Sequence, residues 1–257
     1  MAKIIVEQIP VLSDNYITLA HHPASGATAA VDPAVAEPVL ERLAAKGWTL
    51  THILNTHHHS DHTGGNLDLI RRTGCIVVGA AKDSQRIPGI TEEVGEGDTF
   101  LMGGVAVMAL ETPGHTSGHM AFWFPDSHVL FAGDCLFSLG CGRLFEGTAD
   151  EMWTSLKKLR DLPPDTKVYC AHEYTASNGR FARMVERDNQ ALLARLDQVE
   201  KLRDAGLPTI PTTIADERET NPFLRADIKS VAKAVGMEPG ADPAKVFAEL
   251  RRRKDVF

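Results

Sequence analysis

The run Asn55–Asn66, NTHHHSDHTGGN, places four histidines and an aspartate in the six positions from 57 to 62, then two glycines. It follows an apolar, strand-like stretch, THIL. In extended backbone, residues i and i+2 project to one face, so His57 and His59 can reach a single ion while His58 points away. Asp61 and His62 follow as the chain turns through Thr63, Gly64 and Gly65 toward a helix, and can serve a second ion. One local segment cannot complete two coordination shells. The fold must therefore bring further ligands to this strand end.

Three residues sit where other apolar runs give way to loops: His115 in ETPGHTSGH, Asp134 in LFAGDCLF and His172 in VYCAHEYT. Each has small or glycine neighbours, as suits a close approach of backbone to a site, and strand-end loops are where functional groups collect. The bland alternatives are a solvated polar loop for 57–62, a hydrogen-bonded core histidine for His115 or His172, and a helix N-cap for Asp134. His119 either orients a ligand or serves structure. Neutral imidazoles with carboxylates suit zinc, manganese or iron rather than calcium or magnesium.

From residue 3 to about 172 the pattern is short runs rich in β-branched and aromatic residues, read as strands, with a few helices between. Val35, Val39, Leu40 and Leu43 mark one helix, stopped by Gly47. Met152, Leu156 and Leu159 mark another, preceded by Thr148 and Glu151 at capping-box spacing. After about Tyr174 helical spacing takes over. Leu192, Leu196 and Val199 run up to Gly206 and Pro208, RADIKSVAKAVG repeats the style, and Asp242 with Pro243 opens a last helix. The expectation is an α+β fold with a catalytic domain over 1–173 and an all-helical domain over 174–257.

The chain is 257 residues long with a formal net charge of −7, which argues against general nucleic-acid binding. It shows no signal-peptide pattern at its start and no apolar run of membrane-spanning length. The four cysteines form no C-x-x-C pair, and free thiols in a reducing compartment follow. A cytoplasmic monomer without membrane attachment is expected. The basic run Arg251-Arg252-Arg253-Lys254 is either a solvated helix end favoured by the helix dipole or an anion site.

THHHSDH fits T-H-x-H-x-D-H and so resembles the metallo-β-lactamase superfamily. With TPGHTSGH, AGD and AHEY, and with IPVLSDNY, VDP, NPFLR and RRRKDVF, nearly the whole chain resembles the glyoxalase II, or hydroxyacylglutathione hydrolase, family. That resemblance implies a four-layer αβ/βα sandwich followed by a small helical domain that binds glutathione. It implies two divalent ions, most simply Zn2+ with Fe or Mn as alternatives. His57, His59 and His115 would hold the first ion and Asp61, His62 and His172 the second, with Asp134 bridging. Asp61 and Asp134 would be the catalytic carboxylates.

The implied substrate is a glutathione thioester such as S-D-lactoylglutathione, cleaved to a 2-hydroxy acid and glutathione, the second step of methylglyoxal detoxification. Glutathione carries two carboxylates, which call for cationic groups. The matching positions are Arg143, Arg251 and Lys254, with Tyr174 against the peptide portion. Phe145 stands where some relatives have tyrosine and offers no hydroxyl. The rival on the same fold is a glutathione persulfide dioxygenase with one iron on His57, His115 and Asp134.

Overall fold

The computed structural model describes residues 3–257. The chain divides into two compact units: Met1–Glu111 with Gly118–Gly133, and Thr112–Ser117 with Asp134–Phe257.

The first unit opens with strands β1 (Ile5–Val11), β2 (Asn15–His21) and β3 (Ala27–Val31), antiparallel to one another, with Ile9 opposite Ile17. Strands β4 (Thr49–Leu54), β5 (Ile76–Ala80) and β6 (Glu92–Val94) then add in parallel, in the order β1-β2-β3-β4-β5-β6. Parallel neighbours need crossovers. Helix α1 (Glu37–Lys46) links β3 to β4, while α2 (Ser60–Thr63) and α3 (Asn66–Thr73) link β4 to β5.

Val39 and Leu43 of α1 and Leu69 of α3 pack with Ile9, Ile17, Ile53 and Val77 into one apolar core. The expected stop at Gly47 is found: it takes φ +67, and Trp48 N–H bonds back to the Leu43 carbonyl.

The two glycines after the histidine cluster have ordinary backbone angles and answer a different need. A Cβ on Gly64 would lie 2.5 Å from the Ala34 carbonyl oxygen, and one on Gly65 2.7 Å from that of Pro33. Only glycine lets the start of the crossover pack directly on the loop after β3.

The same unit holds an antiparallel series, β7 (Thr99–Met102), β8 (Val105–Glu111), β9 (Met120–Phe124) and β10 (Val129–Gly133). Phe124 and Phe131 pack edge to face at 5.5 Å on neighbouring strands. Strand β10 ends at Gly133, which delivers the chain to Asp134.

In the second unit, β11 (Leu136–Phe137) and β12 (Gly140–Cys141) form a small hairpin. Helix α4 (Ala149–Arg160) begins with the expected capping box of Thr148 and Glu151. Strand β13 (Lys167–Cys170) leads to α5 (Thr175–Val185) and α6 (Gln190–Asp204). After them come β14 (Thr212–Thr213), α7 (Ile214–Thr220), α8 (Lys229–Ala234) and α9 (Pro243–Asp255).

Asp242 caps α9 through Ala244 N–H, with Pro243 in its first turn, as its sequence predicts. The pattern did not disclose β14, two residues paired with Lys167 and Val168. So short a strand has no alternation to detect.

The β11–β12 hairpin is fixed from below by polar groups. Fully buried Glu217 accepts from Leu139 N–H and from the Thr212 hydroxyl, and burial raises its pKa. Asn221 donates to that carboxyl and to the carbonyls of Phe137 and Gly140.

Candidate metal centre

In the first unit the chain leaves β4 through Asn55 and Thr56, both buried. Asn55 Nδ2 donates to the His62 carbonyl, and its Oδ1 accepts from Asn66. This bolt closes the loop 55–66 on itself. Within it His57 Nε2 and His59 Nδ1 approach to 3.0 Å, so the two imidazoles converge as the i, i+2 spacing predicts. His58 turns away, toward Asp83. Asp61 Oδ2 lies 3.4 Å from His62 Nε2 and accepts from Asn15 Nδ2 at 3.1 Å. The neighbouring His62 and then Asn15 hold the Asp61 carboxyl far below the usual carboxylate range, against the opposite pull of burial.

A carboxylate behind these rings sets their orientation. Asp32, buried at the end of β3 with φ +49, accepts from Thr56 N–H and from the Thr56 hydroxyl. Its Oδ2 lies 3.1 Å from His62 Nδ1, and Thr56 Oγ1 in turn lies 3.0 Å from His57 Nδ1. A carboxylate facing one ring nitrogen leaves the other for a cation. The sequence reading missed Asp32, Thr56 and Asn15 as parts of this site; VDP at a strand end was the available signal for the first.

The second unit carries His115, Asp134 and His172, all buried. His115 Nδ1–H donates to the Arg143 carbonyl at 2.8 Å, leaving Nε2 3.5 Å from Asp134 Oδ2. His172 Nε2 lies 3.4 Å from the other oxygen, Oδ1. Asp134 thus turns one oxygen to each of two histidines and caps no helix. Gly142 permits this arrangement, because a Cβ there would lie 2.0 Å from the Asp134 carbonyl oxygen.

The donor chemistry fits divalent transition ions. Each unit presents imidazole nitrogens and carboxylate oxygens close to one another, the donor set that zinc, iron and manganese share. His119 is buried, with its ring 5.1 Å from that of His57 and inclined to it by 29°.

The groups expected to bind substrate also lie in the second unit. Tyr174 stacks on His172 at 4.8 Å with ring planes 3° apart. The exposed Phe145 ring stands 5.1 Å from His115, and Arg143 is exposed beside it. Lys254 is partly buried with Nζ 3.4 Å from the Ser177 carbonyl and hydroxyl. Its pKa is pulled down to about 8 by burial, then by Arg251, Arg180 and Arg143. Arg180 on α5 was not foreseen, although helical spacing from Tyr174 through Ser177 leads to it.

Arg251 departs from expectation. It is only 5% exposed, and its guanidinium donates to Asp255 and to the Cys141 carbonyl while lying over Phe223. Its donors face protein, so it supports the strand before Arg143 rather than offering its charge to a ligand.

Residues 23–172 match the metallo-beta-lactamase superfamily, and residues 173–257 match the hydroxyacylglutathione hydrolase C-terminus. The fold is that of the superfamily. The ETHE1 structure from Myxococcus xanthus aligns at TM-score 0.67 and 26% identity, over 95% of this chain and 99% of that one.

The chain belongs to the hydroxyacylglutathione hydrolase family. A hydroxyacylglutathione hydrolase from Methylococcus capsulatus is 58% identical over 97% of both chains, and one from Rhodospirillum rubrum is 54% identical over the full length of both. No helix among the described residues is long and apolar enough to cross a membrane.

Proposed function

We propose that this protein hydrolyses S-(2-hydroxyacyl)glutathione, S-D-lactoylglutathione being the reference substrate, to a 2-hydroxy acid and glutathione. The observation that carries the reading is Asp134, whose two oxygens each address a different buried histidine, in a chain 58% identical to a relative named for that hydrolysis. In this reading His57, His59 and His115 would hold one ion and Asp61, His62 and His172 the other, with Asp134 as the ligand they would share. Zinc is the simplest occupant, with iron and manganese as alternatives.

Bound there, the ions would supply Lewis acidity, lowering the pKa of a water and polarising a carbonyl oxygen. The chain's own groups do the rest. Asp61, kept ionised and held by Asn15, orients the attacking water through its carboxylate. Water adds to the thioester carbonyl, the C–S bond breaks, and sulfur leaves as a thiolate, the water's protons passing to solvent and the acid leaving as its carboxylate. A thiolate is stable near neutral pH, so no strong general acid is required. Lys254 and Arg143 hold the carboxylates of the glutathione portion, Tyr174 packs against its peptide, and Phe145 gives an apolar wall without a hydrogen bond.

Residues 174–257 form the glutathione-binding domain in this reading and 1–173 the catalytic one. A cytoplasmic monomer that binds neither membrane nor nucleic acid completes the proposal. The match of residues 173–257 to the hydrolase C-terminus favours the hydrolase over the one-iron dioxygenase.

The test is loss of thioester absorbance with S-D-lactoylglutathione, beside elemental analysis of the same preparation. Turnover with two ions per chain is expected, and Asp134→Ala should abolish turnover and lose metal. Full activity with fewer than two ions would overturn the binuclear reading.

A further inference from the structure

Asp83 closes the 3-10 turn Ala81–Asp83 that follows β5, and it is fully buried. It belongs to neither ligand set. Its Oδ1 accepts from Arg86 Nε at 3.1 Å and Nη2 at 2.5 Å, and its Oδ2 lies 3.1 Å from His58 Nδ1. Arg86 Nη1 stands 3.3 Å from His58 Nε2. A guanidinium can only donate, so Nε2 of His58 is the acceptor and Nδ1 carries the proton given to Asp83. The ring is fixed at both nitrogens.

His58 sits between His57 and His59. In this loop beyond β4 the His58 ring turns to Asp83 while His57 Nε2 and His59 Nδ1 face each other at 3.0 Å, so anchoring His58 outward fixes the backbone from which that pair converges. The Asp83 carboxyl also abuts Gly118, where a Cβ would come within 2.3 Å of it. The next residue, His119, lies along the His57 ring. One buried carboxylate therefore buttresses both segments that frame His57.

We propose that Asp83 is a positioning residue: acting through His58 and braced by Arg86, it sets the affinity of the His57–His59 pair for its ion. This rests on the reading of 57–62 as metal ligands. Asp83→Asn keeps the volume but turns an amide donor toward Arg86 or His58, both of which need an acceptor there. His58→Phe removes the ring's hydrogen bonds.

The experiment measures metal affinity by competition with a chromophoric chelator, with kcat, KM and the melting temperature of the metal-free protein alongside. Asp83→Asn should weaken the first ion about tenfold, the range for supporting groups around a metal, and lower kcat with KM unchanged. Added to His58→Phe, it should cost nothing further. Arg86→Met, a milder change at a half-exposed position, should weaken the same ion less. Unchanged affinity in Asp83→Asn, whatever happens to melting, overturns the proposal, as would losses that multiply in the double variant. If the wild-type chain bound no ion, the metal reading would fall first; if both proteins bound two ions equally well, only the role of Asp83 would fall.

Discussion

Lys254 shows how a single residue can carry an anion site's signature. Burial and three nearby arginines bring its pKa down from 10.5 to about 8. A group with a lowered folded pKa binds fewer protons folded than unfolded, so its contribution makes stability rise with pH across that window. Ligand binding has the opposite sign. The carboxylate partner needs the charged amine, so KM for a glutathione thioester should rise above about pH 8 while kcat holds. Lys254→Met should raise KM about tenfold at pH 7, the scale of one hydrogen bond to a charged group, and remove the alkaline limb. A mutant profile that kept the limb would assign it elsewhere. The approach of His57 to His59 was legible at this scale because their i, i+2 spacing brings the two rings together. Asp32 and Asn15 were not, since an acceptor or donor behind a ligand is recognised only by what it faces.

At the scale of elements, helix α9 separates what composition blurs. Its buried Phe247, Leu250 and Arg251 recur at helical spacing, and one further turn brings Lys254 to the same face. Arg252 and Arg253 pair instead with Glu249. Read as a block, RRRK makes four equivalent cations; read with a 3.6-residue period, it separates buried Arg251, the proposed ligand group Lys254, and Arg252 and Arg253, which pair with Glu249, Arg253 also donating to the Ala234 and Val235 carbonyls. Arg251→Ala would leave the Cys141 carbonyl buried without its donor, at a cost of about 1–3 kcal/mol. It should therefore lower the melting temperature of the metal-free protein, which Lys254→Met should not. Equal melting of the two variants would return Arg251 to the ligand-contacting class. Glycines make a second element-scale point. Gly64→Ala would press a Cβ into the Ala34 carbonyl and displace the turn that bears Asp61 and His62. Metal affinity should fall although no ligand is altered, a change that chelator competition would detect.

For the whole molecule, the helical character after residue 174 and the strand-rich part before it were readable from periodicity. The way the chain revisits each compact unit was not. Residues 112–117 belong with 134–257, while 118–133 belong with the first unit, and no composition shift marks those crossings because strand-end loops on either side look alike. Under the proposed assignment, ligands drawn from positions 57 to 172 would tie metal binding to the folded state, because an unfolded chain does not hold them together. An ion that binds only the folded form stabilises it by RT ln(1 + [L]/Kd), about 2.7 kcal/mol at a hundredfold excess over Kd. Zinc added to chelator-stripped protein should therefore raise the melting temperature steadily with the logarithm of its concentration, and chelator should reverse the shift. In Asp134→Ala the metal-free protein should melt close to the metal-free wild type, since the ion repulsion or bridging that Asp134 governs is absent from both, while the zinc-dependent rise should shrink sharply. A full rise in that variant would mean that the stabilising ion is held without Asp134, and the bridging role would have to be abandoned even if activity were lost.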